Sequence, residues 1–406
     1  MRVMFLFGGI TPYFDAIIRK LIEQEVEVSV VVPSKSSVTW GKGVKKADGL
    51  GIGYKIIEDE EKQSVIGKSY FKNLPAIVEA EKPDILVAGW PYFLSFFFSA
   101  KLRKAIRSNG VKFVLREIPF QVPPYRKAVE YFRQNPMIDE EMNVLSKGIS
   151  FHIRQEILMQ IRRFCYQRAD GALAYSTHGL EIMPTYGINR NRIFVTYNSG
   201  NTDALMQQKE QIKNNPPVLP KNKHRIIHIG RLVKWKRVDL LLDAFKTVLE
   251  KFPDAELVVI GNGPELEALK QQAKKLDTEQ NCIFTGAVYD PATIGEYMTA
   301  SSLYVLAGMG GLSINDAMTY GLPVVCSVCD STEKDLVTDG VNGFFFKEGE
   351  AADLSEKIIK ILDNPELRAS MGEASLDIIE HKINLTSVSR QFVDAFKVIH
   401  SNERGR

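Results

Sequence analysis

The sequence has few cysteines and no apolar run long enough for a bilayer. Four cysteines in 406 residues are too few for a disulfide framework, which favours a reducing compartment. The apolar stretch at 85–100 contains Gly89 and Pro91 and is too short to span a membrane. The start of the chain lacks a small-residue cleavage site, so residues 3–7 predict a first β-strand rather than a signal peptide. We therefore expect a cytoplasmic protein.

Strong net charge is also lacking, but the charge is unevenly distributed. The whole chain carries a formal charge of only +3, whereas residues 1–200 hold 28 basic and 20 acidic side chains. A basic N-terminal half indicates an anionic partner or a membrane surface on that side. The alternative is that these lysines and arginines only solvate the surface. Nothing in the pattern indicates nucleic acid as a partner.

The ordinary content of apolar and charged residues, together with the chain length, predicts two globular domains. Short apolar runs alternate with amphipathic stretches, which is typical of doubly wound α/β layers. The alternation predicts helices at 93–108 and 238–251 and strands at 225–229, 256–260 and 303–306. This alternation stops in a polar, proline-containing segment and then restarts. The predicted organisation is a first domain at 1–205, a linker at 206–224, a second domain at 225–385, and a final helix at 386–406 that crosses back to the first domain.

A basic loop follows the first predicted strand of the second domain. Residues 230–237 contain four cations between that strand and the next helix. The carboxyl ends of strands are where open α/β sheets bind ligands. The four cations repel one another, and a diphosphate would offset that repulsion. The planar guanidinium of Arg231 and the ammonium of Lys236 would be its partners. A solvated basic loop is the alternative.

A glycine-rich turn follows the strand at 303–306 and opens a helix. Backbone N–H groups of Gly310, Gly311 and Leu312 could cradle an anion there. Asp316 lies one helical turn beyond Leu312, where its carboxylate could accept hydrogen bonds from a ribose. A mid-helix surface acid is the alternative for Asp316.

Weaker signals lie elsewhere in the chain. Gly9 belongs to a glycine pair after the first strand, but the spacing does not match the dinucleotide fingerprint. The sequence has no Asp-x-Asp motif, no histidines with metal-ligand spacing, and only half of a zinc pattern at Cys326 and Cys329. We therefore expect no metal and no cofactor.

These motifs resemble those of the retaining GT-B-fold glycosyltransferases, specifically glycosyltransferase family 4 (glycosyl transferases group 1). The resemblance covers most of the second domain and is weak in the first. It implies two Rossmann-like domains that face a central cleft. The matching motifs, in the order and spacing of that family, are Gly230-Arg-Leu-x-x-x-Lys236, Gly261-Asn-Gly-Pro264, Ile283-Phe-Thr-Gly286, Gly311-Leu-x-x-x-Asp316-Ala-Met-x-x-Gly321, and Asp339-Gly-Val-Asn-Gly343.

The resemblance implies sugar transfer from a nucleotide donor with retention of configuration and without a metal. Arg231 and Lys236 would stabilise the leaving diphosphate, and Asp316 would bind the ribose. Gly310, Gly311 and Leu312 would contact the phosphates or the sugar. The remaining donor contacts implied are Val288 and Tyr289 at the base and Gly9 at the diphosphate.

Two positions depart from the family pattern. The first glutamate of the family's E-x7-E motif falls on Gly308, and the second falls on Asp316. A histidine that many members place after the fourth strand is also replaced, here by Arg116 and Glu117. One of these two side chains would then face the reacting centre, and Glu117 is the predicted catalytic candidate of the first domain.

The acceptor is expected to meet the N-terminal half. Aromatic residues at 90–98 and basic residues at 101–107 and 42–46 suggest a glycan or lipid-linked acceptor, with peripheral contact to an anionic membrane. The alternative is that the aromatic residues are core and the cations are the wet face of a helix.

The predicted function is therefore a transferase that moves a sugar from a UDP- or GDP-sugar to an acceptor in cell-envelope polysaccharide biosynthesis. Two alternatives stay open. One is a nucleotide-sugar epimerase of the same fold. The other is a non-catalytic nucleotide-sugar binding or scaffold protein, which the glycine at position 308 suggests.

Overall fold

The structure is a computed structural model that describes residues 1–35, 52–212 and 219–402. The chain divides into two compact units. Unit 1 comprises residues 1–136, 146–197 and 385–406, and unit 2 comprises residues 137–145 and 198–384. The basic segment at 42–46 and part of the predicted linker lie outside the described residues.

The described part of unit 1 contains a seven-stranded parallel sheet with the strand order β3-β2-β1-β6-β7-β8-β9. Strands β4 and β5 form a separate antiparallel pair. Apolar residues fill the central strands, as expected for a parallel sheet covered on both faces. The strands are β1 (Arg2–Leu6), β2 (Glu27–Pro33), β3 (Lys55–Asp59), β4 (Glu61–Gln63), β5 (Ser69–Phe71), β6 (Ile85–Gly89), β7 (Lys112–Glu117), β8 (Gly171–Ala174) and β9 (Ile193–Val195).

Helices surround this sheet and connect its parallel strands. The long helix α6 supplies several buried side chains next to the sheet edge that carries the cavity described below. The helices in this part of the chain are α1 (Pro12–Glu23), α2 (Leu74–Glu81), α3 (Ser95–Phe98), α4 (Ala100–Ser108), α5 (Ala128–Gln134), α6 (Ile149–Arg168) and α7 (Gly179–Ile182).

Unit 2 has a six-stranded parallel sheet in its described residues, with the order β12-β11-β10-β13-β14-β15. Its core includes Leu257 and Val259 of the apolar strand β11 together with apolar residues of α9 and α14, two helices that pack against each other. The strands are β10 (Arg225–Ile229), β11 (Glu256–Ile260), β12 (Cys282–Gly286), β13 (Leu303–Leu306), β14 (Val324–Cys326) and β15 (Gly343–Phe345). The helices are α8 (Thr202–Ile212), α9 (Val238–Lys251), α10 (Leu266–Lys275), α11 (Pro291–Thr299), α12 (Ser313–Thr319), α13 (Glu333–Leu336), α14 (Ala351–Leu362) and α15 (Pro365–His381).

The last helix, α16 (Leu385–Ser401), belongs to unit 1. Its buried face includes Phe392 and Phe396, which make edge contacts with Phe14 and Phe5. None of the helices in the described residues is both long and apolar enough to cross a membrane. The predicted fold class, two Rossmann-like doubly wound α/β units of the GT-B type, is confirmed.

Two predictions of local structure were wrong. The helix predicted across 93–108 is broken at Ser99, whose extended backbone separates α3 from α4 and whose hydroxyl caps Leu102 N at 3.1 Å. Helix α8 also continues to the buried Ile212, inside the segment predicted as a linker from residue 206. At Ile212 tertiary packing outweighs the local signal, because this side chain packs beside α11.

Candidate functional site

The basic loop of unit 2 leaves the carboxyl end of β10, a central strand between β11 and β13. It contains a short 3₁₀ turn, Lys234–Lys236, and leads into α9. The next residue, Arg237, has a left-handed backbone with φ of 53°. This turn returns the chain across the sheet edge and places the predicted phosphate-binding residues there.

Carboxylates and backbone carbonyl groups of unit 2 itself contact the cationic side chains of this loop. One nitrogen of Arg231, Nη1, donates to both carboxylate oxygens of Glu140, at 3.0 and 2.8 Å. Lys234 pairs with Glu141 at 3.0 Å, and Arg237 pairs with Asp239 at 3.2 Å. These internal carboxylates therefore offset part of the repulsion between the cations of the loop, which the sequence alone assigned to a bound anion or to solvent.

Glu140 and Glu141 lie in an acidic hairpin, Met137–Leu145, that packs within unit 2. A bridge between Ile138 and Val144 closes the hairpin. Asp139 folds its tip by accepting hydrogen bonds from the backbone N–H groups of Glu141 and Asn143, at 3.0 and 2.8 Å. The carbonyl of Glu140 also accepts the backbone N–H of Trp235 at 3.2 Å, so the hairpin is fixed to the basic loop through main chain as well as side chains.

Lys236 joins the basic loop to the glycine-rich loop. Its ammonium donates to the carbonyls of Met309 and Gly310, at 2.8 and 2.7 Å. Burial lowers the pKa of this ammonium, and the nearby carboxylate of Asp330 opposes that shift. An ammonium has three N–H donors, and these two carbonyls use two of them, which leaves one for a ligand oxygen. The contact between Lys236 and the glycine-rich loop was not predicted from the sequence and comes from the structure alone.

Gly308 lies where the two loops touch. A Cβ atom at this position would lie 2.2 Å from the carbonyl oxygen of Trp235 and 2.7 Å from the carbonyl carbon of Lys236. The next residue, Met309, donates its backbone N–H to the same Trp235 carbonyl at 2.7 Å. Any side chain at 308, including the glutamate of the family pattern, would therefore force the loops apart.

Asp316 is half-buried on α12. No hydrogen bond or ion pair reaches its carboxylate from the described residues, and burial raises its pKa to about 7. Gly200 packs closely against it, since a Cβ there would lie 3.0 Å from the Asp316 Oδ1. On the same helix, Ser313 accepts a hydrogen bond from the Tyr304 hydroxyl at 2.6 Å. A carboxylate with no partner among the described residues is suited to accept hydroxyl hydrogen bonds.

The other predicted donor residues also lie in unit 2. Gly310 faces Cys329 and Asp330, whose side-chain atoms would be 3.2 Å from an added Cβ, and Gly311 lies beside the Lys236 ammonium at 3.4 Å on the same measure. Leu312 immediately precedes α12. Val288 and the exposed Tyr289 lie in the irregular segment after β12 and before α11.

Gly9 and Glu117 lie in unit 1, where both line a cavity of about 350 Å³ at the carboxyl edge of the sheet. Glu117 is 3 % exposed, and both of its carboxylate oxygens accept hydrogen bonds. It accepts from Arg162 at 2.8 Å and from the Tyr166 hydroxyl at 2.5 Å. These bonds favour a positioning role for Glu117 over the predicted catalytic one.

Sequence reasoning missed two features of this region. The acidic hairpin could have been suspected from its three consecutive acids in a basic half of the chain. His228 gave no signal, because it lies in the apolar strand β10. Its Nδ1 lies 3.0 Å from the Val305 carbonyl, its Nε2 has no partner among the described residues, and burial lowers its pKa to about 4. His228 is therefore neutral near pH 7.

Known proteins match this chain in part of its sequence and in its fold. Residues 208–377 match the family model described as glycosyl transferases group 1. An uncharacterized glycosyltransferase of Haemophilus influenzae is 32 % identical over 187 residues, which are 42 % of this chain and 52 % of that protein. A poly(glycerol-phosphate) alpha-glucosyltransferase of Bacillus subtilis is 27 % identical over 41 % of this chain and 25 % of its own length. The matches thus span about half or less of these two relatives.

The fold has a solved counterpart over the whole chain. The structure of Anabaena HepE in complex with UDP aligns with a TM-score of 0.68 and 17 % identity, covering 98 % of this chain and 100 % of that one. At this identity the likeness concerns the fold alone. The segment that matches the family model contains the basic loop, the glycine-rich loop and Asp316. This chain therefore has a GT-B fold and, at 208–377, a segment of the group 1 glycosyl transferase type.

Proposed function

We propose that the protein is a glycosyltransferase that uses a nucleoside diphosphate sugar, with UDP as the nucleotide. One observation carries this proposal. Lys236 links the basic loop to the glycine-rich loop, at the edge of a sheet that also presents Asp316, whose carboxylate has no partner among the residues that the structure describes. The family model covers these residues, and UDP is the ligand named for Anabaena HepE.

In this mechanism Lys236 donates its remaining N–H to the diphosphate and stabilises the negative charge that develops as the sugar departs. Arg231 adds a second cation, with the N–H groups that Glu140 does not use. Asp316 accepts hydrogen bonds from the ribose hydroxyls. Transfer retains the anomeric configuration, because the resemblance is to retaining enzymes, and the departing phosphate assists the incoming hydroxyl on the same face. No metal takes part in these steps.

The acceptor is a glycan or lipid-linked molecule of the cell envelope. Among the relatives, the Bacillus protein is named for a poly(glycerol-phosphate) acceptor, and one from Staphylococcus aureus is named for poly(ribitol-phosphate). Peripheral contact with an anionic membrane is part of this proposal. The basic N-terminal half supports this contact, as do the partly exposed rings of Trp90, Phe97 and Phe98.

Binding and turnover test the proposal separately. Calorimetric titration with UDP, GDP and ADP, on wild type and on Lys236→Ala, should show one preferred nucleoside diphosphate and loss of binding in the variant. NMR of a reaction with the matching UDP-sugar and an acceptor mixture should then show a product with the donor's anomeric configuration. Equal binding in wild type and Lys236→Ala would contradict the assigned site, and an inverted product would contradict retention.

Gly308 favours one second candidate, a non-catalytic protein that binds nucleotide sugars. Neither the carboxylate of the family pattern nor space for it exists at this position. Tight UDP binding without donor hydrolysis or transfer, with every tested acceptor, would support this candidate. Slow hydrolysis of the donor that Lys236→Ala abolishes would exclude it.

A further inference from the structure

The cavity of unit 1 contains a buried arginine. Arg116, at the end of β7, is 7 % exposed and lines the cavity. Its guanidinium carbon lies 4.2 Å from the ring centre of Tyr175 and 4.3 Å from that of Phe14. Among the described residues no carboxylate forms an ion pair with it. Burying a cation without a counter-ion is costly, and aromatic faces offset only part of that cost.

Two buried acids of unit 1 are already paired with other groups. Glu117, the next residue, is held by Arg162 and Tyr166. Asp15, on α1, accepts from Arg19 at 2.7 Å and from the Tyr54 hydroxyl at 2.6 Å. The Tyr175 hydroxyl interacts with the Arg116 guanidinium, but an uncharged hydroxyl does not neutralise it. The charge of Arg116 therefore remains available to a ligand.

The neighbouring groups add positive charge and apolar walls. Arg162 also lines the cavity, and its guanidinium lies 4.2 Å from the ring centre of Trp90. Lys68 lies over the same ring at 5.3 Å. Glu117 is the single acid of the lining. Together with the two arginines, it gives the cavity lining a net charge of +1. Phe7 and Phe14 supply flat apolar faces on the other side.

The position of the cavity in the fold also favours a ligand. It lies at the carboxyl ends of β1, β6, β7 and β8, and β1 and β6 are adjacent central strands at which the strand order reverses direction. Open α/β sheets bind their ligands in the crevice at such a point. A volume of about 350 Å³ is within the range of small-molecule sites.

We propose that this cavity binds the oxyanion of a sugar-sized or polyol-sized ligand, with Arg116 as its counter-ion. The ligand's carboxylate or phosphate pairs with the guanidinium, and its carbon skeleton packs on the aromatic walls. If the proposed transferase function holds, on which this step rests, the ligand is the acceptor, which would then be an acidic glycan or a polyol phosphate. Binding itself does not depend on that function.

The first test uses wild-type protein and matched probes. Saturation-transfer NMR titrations compare D-glucuronate with D-glucose, and glycerol 3-phosphate with glycerol. We expect at least tenfold tighter binding of one anion than of its neutral match, and the stronger anion distinguishes a carboxylate ligand from a phosphate ligand. Equal binding of anion and neutral match in both pairs would overturn the proposal, whether or not any variant folds.

Variants then assign the effect to Arg116. Arg116→Gln should remove the preference for the anion, and Arg116→Lys should keep part of it. Lys236→Ala, in unit 2, should leave the preference unchanged while it weakens UDP binding about 100-fold. An anion preference that persists in a folded Arg116→Gln would overturn the assignment. Failure of wild type to bind UDP would instead count against the proposed function, which keeps the two failures distinguishable.

Discussion

The two units each present an arginine at the carboxyl edge of a parallel sheet, but the two guanidinium groups have different neighbours. Arg231 of unit 2 is about one-third exposed and is paired with the carboxylate of Glu140. Arg116 of unit 1 is almost fully buried and is surrounded by aromatic rings. A carboxylate partner reduces the charge that a ligand meets, whereas aromatic rings leave it in place. We therefore expect the two sites to differ in ligand selectivity. In unit 2 a ligand anion competes with Glu140 for Arg231, whereas in unit 1 no acid among the described residues competes for Arg116.

Replacing Lys236 should have the largest effect on the unit 2 site. Lys236→Ala removes the ammonium that lies between the two loops, and UDP binding should weaken about 100-fold, since hydrogen bonds to charged groups contribute roughly 1.5–3 kcal/mol. Calorimetric titration measures this loss. Lys234→Ala is the matched control, because Lys234 is half-exposed and paired with Glu141, and it should change the dissociation constant less than threefold, on the order of a surface pair. Equal losses in both variants would mean that only the total charge of the loop matters.

Filling the space at Gly308 should destabilise unit 2. Gly308→Ala places a methyl group against the backbone of Trp235 and Lys236, and overpacking of this kind costs about 1–3 kcal/mol. Thermal unfolding should show a lower Tm, and UDP binding should weaken because Lys236 moves with the loop. Gly340→Ala is a control for a glycine in open space, although its positive φ adds backbone strain there. An unchanged Tm for Gly308→Ala would show that the two loops are not tightly packed.

The raised pKa of Asp316 predicts a pH-dependent site. Ribose hydroxyls donate to the ionised carboxylate, so protonation competes with UDP, and with a pKa of about 7 the dissociation constant should rise about tenfold from pH 8 to pH 6. Asp316→Asn should flatten this profile. The native state also holds more protons than the unfolded chain between pH 4 and 7, so stability falls as the pH rises through that range, and Asp316→Asn should lessen the fall. An identical binding profile in the variant would assign the titration to another group or to UDP itself.

Removing the carboxylate of Glu140 should have the smallest effect and the opposite sign. Glu140→Gln keeps the shape of the hairpin but leaves Arg231 without its counter-charge. UDP should therefore bind up to about fivefold more tightly, the value of an ion pair that is about one-third exposed. Arg116 should be unaffected, so the anion preference of unit 1 should not change. Weaker UDP binding in this variant would mean that Glu140 holds Arg231 in position for the ligand instead of competing with it.

The regular elements were largely predictable because their signals are local. The apolar period predicted α9 with the bounds that the structure has, and the strands β10, β11 and β13 were predicted equally well. The break at Ser99 was not predictable, because the apolar residues before it satisfy a helical period. Local signals thus predict an element better than its interruptions.

The site was predictable in composition but not in its contacts. The basic loop, the glycine-rich loop and Asp316 were all identified from spacing. The partners of Arg231 and Arg237 have different origins. Asp239 is two residues from Arg237, whereas Glu140 is 91 residues from Arg231, and no pattern links the latter pair. The charge state of a ligand site therefore depends on long-range pairing that a single sequence does not reveal.

The close contact at Gly308 also has an evolutionary consequence. If an ancestor carried the family's glutamate at this position, its basic loop had a different path, because no side chain fits beside Trp235 in the present one. Restoring the glutamate alone would place it in an occupied space. A return to the ancestral residue would thus require compensating changes at 235–237, and position 308 is epistatically locked to the loop that carries Lys236.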